Sequence, residues 1–254
     1  MKILTLGDVC GEAGVELARR RLGALRRSTG ADLIVINGEN ATGRGITPDI
    51  AHDLLLAGAD VITLGNHAFD NRRILPMLEE DSRVVRPYNR SHRIEGRGYC
   101  IIDVCGVRVC VVSLLGRLYM DINCDSPFDA FDALLREVQA DLYVVDFHAQ
   151  ATSEKKAMGY HVDGRAAVIF GTHTHVQTSD ARILPRGTGY ITDVGMTGAA
   201  ESVIGVRWQQ SLEYFRGGLT QRFENSDLDC RIQGALFELD NRGACFRATL
   251  IDTE

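Results

Sequence analysis

Carboxylate, amide and imidazole side chains recur in this 254-residue sequence directly after short apolar runs. Four of the seven histidines lie in these positions. The groups are Gly7-Asp8, Asn37-Gly38-Glu39-Asn40, Gly65-Asn66-His67, His148 and Gly171-Thr172-His173-Thr174-His175. In an open α/β sheet, ligands bind outside the carboxyl ends of the strands. If the apolar runs are strands, we therefore expect the five groups to converge on one place.

The residue types in these groups indicate a metal site. Oxygen and imidazole donors without cysteine suit Mn, Fe, Zn or Mg better than a closed structural zinc site. About seven such donors are too many for one tetrahedral ion and enough for two, provided that one carboxylate bridges them. Paired metals roughly 3.5–4 Å apart are a known arrangement for phosphoester hydrolysis.

Each of these residues alone also has an ordinary structural explanation. Asp8 can be a turn acid at the end of a strand, and Asn40 and Asn66 can be turn residues. His148 can be a core histidine whose nitrogens are hydrogen-bonded. The functional interpretation depends on all of them occurring together, each at a strand end.

The elements that must position these groups are visible in the apolar pattern. Runs rich in Val, Ile and Leu, without clean alternation, predict strands covered on both faces, at residues 2–6, 32–36, 60–64, 141–147 and 166–170. Helices are predicted over residues 15–27, from Thr47-Pro48 to Gly58, and from Ser126-Pro127 onward. Two hairpins are predicted, one at residues 99–104 and 107–115, the other at 234–239 and 244–251.

Composition and charge exclude several classes of protein. The sequence has 28 Lys and Arg against 34 Asp and Glu, a net charge of −6, so it lacks the basic footprint of a duplex nucleic-acid binder. We interpret Arg19, Arg20 and Arg21 as a solvated helix face. No apolar run reaches the roughly 18 residues of a membrane helix, and the first residues turn polar too soon for a secretory signal. We therefore expect a cytoplasmic protein with no membrane partner.

The seven cysteines do not indicate a disulfide framework in such a protein. Cys100, Cys105 and Cys110 lie in apolar surroundings, and we interpret them as buried free thiols. Cys10, two residues after Asp8, is interpreted as a packed thiol beside the site.

In order along the chain, the five groups resemble the signature blocks of the calcineurin-like metallophosphoesterases. Glu39-Asn40, where most of that superfamily has Asp, resembles the YmdB-like branch. The same branch is indicated by DFHAQATSEK at residues 146–155, TGYITD at 188–193 and GMTG at 195–198. The resemblance covers essentially the whole chain. One residue departs from the branch, because Gln150 stands where Glu is usual and removes a charge there.

The resemblance implies an α/β fold, a four-layer α/β/β/α sandwich with mixed sheets. Because the candidate ligands are spread along the chain and must meet, we expect one domain over residues 1–254. The resemblance also implies two metal ions, with iron in first place and manganese, zinc or magnesium as alternatives. Glu39 would bridge the two ions. Asp8, Asn40 and His175 would complete the first metal site, and Asn66, His148 and His173 the second. His67 would stay free as the general acid.

The function that this resemblance implies is a phosphodiesterase acting on small phosphodiesters, with 2′,3′-cyclic nucleotides as the substrate class. We expect in-line attack by a metal-bridging hydroxide, while protonated His67 donates to the leaving alkoxide. Two divalent ions against the charges of Asp8 and Glu39 would make the site locally positive. That local charge suits a small anionic substrate in a chain that is acidic as a whole.

Other functions stay open at this point. A metal-dependent hydrolase of C–N or C–O bonds would also use His-x-His, but here that motif follows the fifth apolar run rather than an early one. A regulatory or signalling protein with incidental turnover is the main alternative. Trp208, Tyr214 and Phe215 are interpreted either as helix packing or as a contact in a homo-oligomer.

Overall fold

Two β-sheets, one of eight strands and one of six, form the centre of the described part of the molecule. The computed structural model of the protein describes residues 1–219 and 222–254. In chain order the strands are β1 (Lys2–Leu6), β2 (Asp8–Val9), β3 (Leu33–Asn37), β4 (Val61–Thr63), β5 (Val84–Val85), β6 (Tyr99–Val104), β7 (Val107–Leu115), β8 (Leu142–His148), β9 (Val168–Thr172), β10 (Arg182–Ile183), β11 (Gly189–Ile191), β12 (Met196–Ala199), β13 (Cys230–Leu239) and β14 (Cys245–Thr253).

Both sheets are mixed. The first has the order β2-β12-β13-β1-β3-β4-β5, with β14 also paired to β13, and the second has the order β10-β11-β9-β8-β7-β6. In the first sheet, β1, β3, β4 and β5 are parallel, and β13 is antiparallel to β1. In the second, β7, β8, β9 and β11 are parallel, with antiparallel strands at both edges. The parallel strands of each sheet therefore present their carboxyl ends together.

Two of the predicted helices begin at the predicted capping residues, while the helix predicted over residues 15–27 is longer at both ends. The helices are α1 (Gly11–Thr29), α2 (Pro48–Ala57), α3 (Leu75–Glu80), α4 (Pro127–Glu137), α5 (Thr152–Val162) and α6 (Trp208–Phe215). The Thr47 side chain accepts a hydrogen bond from the Ile50 N–H at the start of α2, and Ser126 accepts one from Asp129 N–H at the start of α4. α1 ends at Gly30, which adopts a left-handed conformation with φ 68°.

Three apolar clusters define four layers. The first joins α1 and α2 to one face of the eight-stranded sheet, through residues such as Leu22, Leu54 and Ile36. The second fills the space between the sheets, and the third packs α4 and α5 on the six-stranded sheet. The predicted α/β/β/α sandwich with mixed sheets is confirmed. Among the described residues, no helix is both long enough and apolar enough to span a membrane.

Two sequence interpretations need correction or stay open. The seven cysteines, all in the described part of the chain, are free, but Cys105 is exposed rather than buried because it lies in the turn of the first hairpin. Trp208, Tyr214 and Phe215 on α6 are 42%, 47% and 77% exposed, so helix packing does not bury them. Their role in an oligomer contact stays a prediction.

Candidate metal centre

Strand ends of both sheets supply the candidate ligands. Asp8 is the first residue of β2, separated from β1 by Gly7, while His148 is the last residue of β8. Loops after β3, β4 and β9 carry the others, which are Glu39, Asn40, Asn66, His173 and His175. Parallel strands bring these segments to one edge of the sandwich, as the sequence pattern predicts.

The seven side chains form a continuous set of contacts. Each lies within 4 Å of at least one other, in a path from Asp8 to His148 that then branches to Asn66 and His173. The linking distances are 3.8 Å from Asp8 Oδ1 to His175 Nε2, 3.1 Å from His175 Nε2 to Asn40 Nδ2, 3.2 Å from Asn40 Nδ2 to Glu39 Oε1, 3.0 Å from Glu39 Oε1 to His148 Nε2, 2.8 Å from His148 Nε2 to Asn66 Oδ1 and 3.1 Å from His148 Nε2 to His173 Nδ1.

Asp8 has a buried oxygen without a partner, which fits a metal ion. Its side chain is fully buried, and no atom of the described residues forms a hydrogen bond with Oδ1. Oδ2 accepts a hydrogen bond from the His173 N–H at 3.2 Å. Burial raises the pKa of Asp8 to about 6, although His175 and His148 oppose the shift. A buried carboxylate oxygen of this kind is costly unless a cation or a donor compensates it.

A second group of donors fits a metal ion equally well. One ligand atom each from Glu39, His148 and His173 lies within 4.8 Å of the other two. Burial alone would raise the pKa of Glu39, but the neighbouring His148 and His67 together outweigh burial and lower the pKa to about 2. Burial lowers the pKa of His173 to about 3, so its imidazole is neutral. A charged carboxylate and a neutral imidazole are the forms that bind metals.

The orientation of His148 is set by a chain of hydrogen bonds that ends at Asp146. The Thr172 hydroxyl donates to Asp146 Oδ1 at 2.6 Å, so the same hydroxyl accepts from His148 Nδ1, which lies 2.8 Å away. Nε2 of His148 is therefore left free to bind a metal. Asp146 also accepts from Asn37 and Thr63, which come from the other sheet. One buried carboxylate thus joins both sheets to one ligand.

Backbone strain is concentrated at the His-x-His motif. His173 and His175 have φ values of 96° and 62°, in the left-handed region that non-glycine residues rarely occupy. Asp193 Oδ2 accepts hydrogen bonds from the N–H and hydroxyl of Thr174 between them, at 3.2 and 2.7 Å. The same oxygen lies 2.6 Å from Lys155 Nζ. Strained residues of this kind cluster where a ligand is held.

His67 is held beside the ligands by two contacts. Its N–H donates to Glu39 Oε2 at 3.0 Å, and its Nδ1 lies 2.8 Å from Asp70 Oδ2. Because Nδ1 of His67 is hydrogen-bonded to Asp70, Nε2 is the ring nitrogen that can contact a bound molecule. A cavity of about 670 Å³ lies over the site and includes His67, His173 and His175 in its lining. Its volume falls in the range that holds small-molecule ligands.

Comparisons with known proteins agree with this geometry. The sequence profile of the YmdB-like protein family matches residues 4–251. The chain belongs to the YmdB-like family. A 2′,3′-cyclic-nucleotide 2′-phosphodiesterase of Bacillus subtilis (strain 168) is 38% identical over 245 residues, covering 95% of this chain and 92% of that protein.

Solved structures share the fold of this chain. A hypothetical protein from Thermus thermophilus matches with a TM-score of 0.93 and 38% identity, over 99% of this chain and 98% of that one. A novel phosphatase from Mycoplasma pneumoniae matches with a TM-score of 0.93 and 36% identity, over 99% and 92%. A 5′-nucleotidase precursor, also from Thermus thermophilus, shares the fold at 14% identity and a TM-score of 0.57; this chain spans 54% of it. The predicted family and enzyme class, a phosphoesterase, are confirmed.

In this YmdB-like protein, the sequence interpretation missed the residues that support the ligands. Asp70 follows His67 by three positions, a spacing that allows a local hydrogen bond. Lys155 occupies the apolar stripe of α5 with Met158 and Val162, where a lysine is rarely buried unless it is paired. A lysine in an apolar stripe was the signal in the sequence from which a buried, paired lysine could have been predicted. Gln150, which departs from the family pattern, is exposed, so the missing charge lies outside the buried set.

Proposed function

We propose that this protein is a phosphodiesterase that hydrolyses 2′,3′-cyclic nucleotides at a two-metal centre. The observation that carries the proposal is the continuous set of oxygen and nitrogen donors around the buried Asp8 oxygen that has no hydrogen-bond partner. The substrate class is supported by the name of the Bacillus subtilis relative, which is 38% identical over 95% of this chain.

In this proposal Glu39 would contribute to the binding of both ions. Asp8, Asn40 and His175 would hold the first ion, and Asn66, His148 and His173 would hold the second. Such ions supply positive charge for the phosphoryl oxygens and lower the pKa of water, with iron in first place and manganese, zinc or magnesium as alternatives. Because the ligands come from both sheets and from residues 8 to 175, we also propose that the chain acts as one domain.

His67 supplies the proton in this reaction. Water first loses a proton to solvent; the resulting hydroxide oxygen forms a bond to phosphorus while the bond from phosphorus to one ribose oxygen breaks, and that oxygen takes a proton from His67 Nε2. His67 then regains a proton from solvent, so the cycle adds one water to the ester. Asp70 accepts from Nδ1–H, so it fixes the orientation of the ring. The Glu39 carboxylate, which accepts from the His67 N–H, ties the proton donor to the metal ligands.

A substrate panel tests the proposal with metal-reconstituted protein. The panel contains bis-p-nitrophenyl phosphate, a phosphomonoester, and 2′,3′- and 3′,5′-cyclic nucleotides, each assayed with iron, manganese, zinc and magnesium. We expect the highest kcat/KM on 2′,3′-cyclic nucleotides with iron bound. If metal-loaded protein binds the cyclic nucleotide and hydrolyses no ester in the panel, the enzymatic proposal is wrong and the regulatory alternative is favoured.

A further inference from the structure

One part of the cavity over the metal centre is apolar. Ile204, Val206 and Phe223 contribute to its lining, while the metal-centre side is polar. Ile204 and Phe223 are 56% and 43% exposed, unlike the apolar residues of the three core clusters. Hydrolysis of a phosphate ester alone requires no such surface, because the phosphate is a polar anion. The apolar wall, defined as Ile204, Val206 and Phe223, therefore faces some other part of the bound molecule.

The apolar wall is fixed to the metal centre through Ile204. Ile204 has φ 49°, which is strained for a β-branched residue. Its carbonyl oxygen lies 3.0 Å from His175 Nδ1 and accepts a hydrogen bond from the Nδ1–H group. A β-bridge between Val203 and Val206 closes the turn around it. The strained residue therefore orients a candidate ligand with its carbonyl while its exposed side chain stands at the cavity.

Phe223 is fixed on the other side of the wall. The ring of Tyr214 on α6 meets the Phe223 ring edge-on, with 5.8 Å between centroids and an angle of 83° between planes. The next residue along, Glu224, donates its N–H to the side chain of Gln210 on α6 at 2.8 Å. A β-bridge from Val206 to Asn225 then ties the two halves of the wall together.

We propose that the apolar wall binds the nucleobase of a nucleotide substrate, with Phe223 as the residue that stacks on it. A nucleobase is planar and has two apolar faces, and it hangs from the same ribose as the cyclic phosphate. A preformed aromatic ring beside a phosphate-cleaving centre matches that arrangement. The inference rests on the proposed function and adds a binding subsite to it.

The test separates binding of the nucleobase from hydrolysis of the cyclic phosphate ester. Wild-type, Phe223→Ala and Phe223→Leu proteins are assayed on 2′,3′-cyclic AMP and on methyl riboside 2′,3′-cyclic phosphate, which has the same cyclic ester but a methoxy group in place of the base. Phe215→Ala is the matched control, because Phe215 is a 77% exposed phenylalanine near Tyr214 that is absent from the cavity lining.

We expect Phe223→Ala to raise KM for 2′,3′-cyclic AMP by about 5- to 100-fold, the range typical of losing one base–aromatic stack, with kcat nearly unchanged. Phe223→Leu should give an intermediate KM, and Phe215→Ala the wild-type value. The base-free ester should be hydrolysed equally by all four proteins, which also shows that each is folded.

An equal rise in KM for both esters, or no rise for either, overturns the inference. A wild-type protein that hydrolyses bis-p-nitrophenyl phosphate but neither cyclic ester overturns the proposed substrate class and this subsite with it. The two failures are distinguishable, because the second is seen in the wild type and the first only in the variants.

Discussion

Replacing Asp193 with asparagine should lower the free energy of unfolding and should also lower the metal affinity of the loop that carries His173 and His175. Its carboxylate accepts from Lys155 Nζ at 2.6 Å, from the N–H and hydroxyl of Thr174 at 3.2 and 2.7 Å, and from Gly195 N–H at 2.9 Å. Lys155 Nζ has one further acceptor, the Thr172 carbonyl at 2.7 Å. Asparagine keeps the size of the side chain and removes its charge, so the ammonium loses its counter-ion.

The expected loss of stability follows from burial. The side chains of Lys155 and Asp193 are 2% and 1% exposed, so water cannot replace the lost partner. Removing one partner of a buried ion pair costs about 3–5 kcal/mol, because the other charge stays buried. Asparagine retains one acceptor oxygen, so we expect about 3 kcal/mol, roughly a 100-fold change in the folded-to-unfolded ratio. Adding Lys155→Met to Asp193→Asn should recover much of this loss, because no unpaired charge remains.

The same substitution should lower metal affinity about 10- to 100-fold, since Asp193 holds the loop that carries His173 and His175. Urea unfolding of metal-free protein measures the stability, and competition with a chelator measures the affinity. Glu16→Gln is the control, because its pairing with Arg20 at 3.5 Å is exposed and should contribute about 0.5 kcal/mol or less. If Asp193→Asn lowers the free energy of unfolding by no more than this control does, and binds metal with wild-type affinity, the reasoning is refuted.

Three further substitutions test other parts of the site. His67→Ala should lower kcat on the cyclic ester by about 10²- to 10⁴-fold with metal content unchanged, which pairing steady-state kinetics with metal analysis would establish. Thr172→Val breaks the link from His148 to Asp146 and should lower metal affinity about 10- to 100-fold in a chelator competition. Gly65→Ala would place a Cβ inside the contact distance of Glu39 Oε2 and the His148 ring, so purified protein should contain much less metal than wild type.

Each of these has an outcome that contradicts it. Full turnover by His67→Ala on an ester with an alkyl leaving group would remove the acid role. Wild-type metal affinity in Thr172→Val would mean that His148 is oriented without the hydroxyl. For Gly65→Ala the matched control is Gly23→Ala on α1, where the nearest atom to the new Cβ is 3.6 Å away. That control should keep its metal and gain about 0.5–1 kcal/mol of stability, and equal metal loss in both variants would exclude a local clash.

The elements that carry the site could be predicted because their signals are local. The hairpin of β6 and β7 has the predicted bounds, and Thr47 caps α2 as expected. The predicted strand ends differ from the observed ones by one or two residues. For example, His148 is the last residue of β8, whereas the sequence pattern placed it just after the strand. The buried partner of Lys155 could not be predicted, because Asp193 is 38 residues away, after β11, and only the packing of α5 on the six-stranded sheet brings the two together.

Several unfavourable features of this fold coincide at one place. Asp8 has a buried oxygen with no hydrogen-bond partner, and His173 and His175 are held in left-handed backbone conformations. Residues held in such conformations cost roughly 1–3 kcal/mol each and persist only where the surrounding structure enforces them. Here Asp193 and Ile204 supply that enforcement, through Thr174 and through the ring of His175. A cation bound between the two sheets would give the Asp8 oxygen its missing partner. Its binding free energy would then also stabilise the fold, since an unfolded chain does not hold these ligands together.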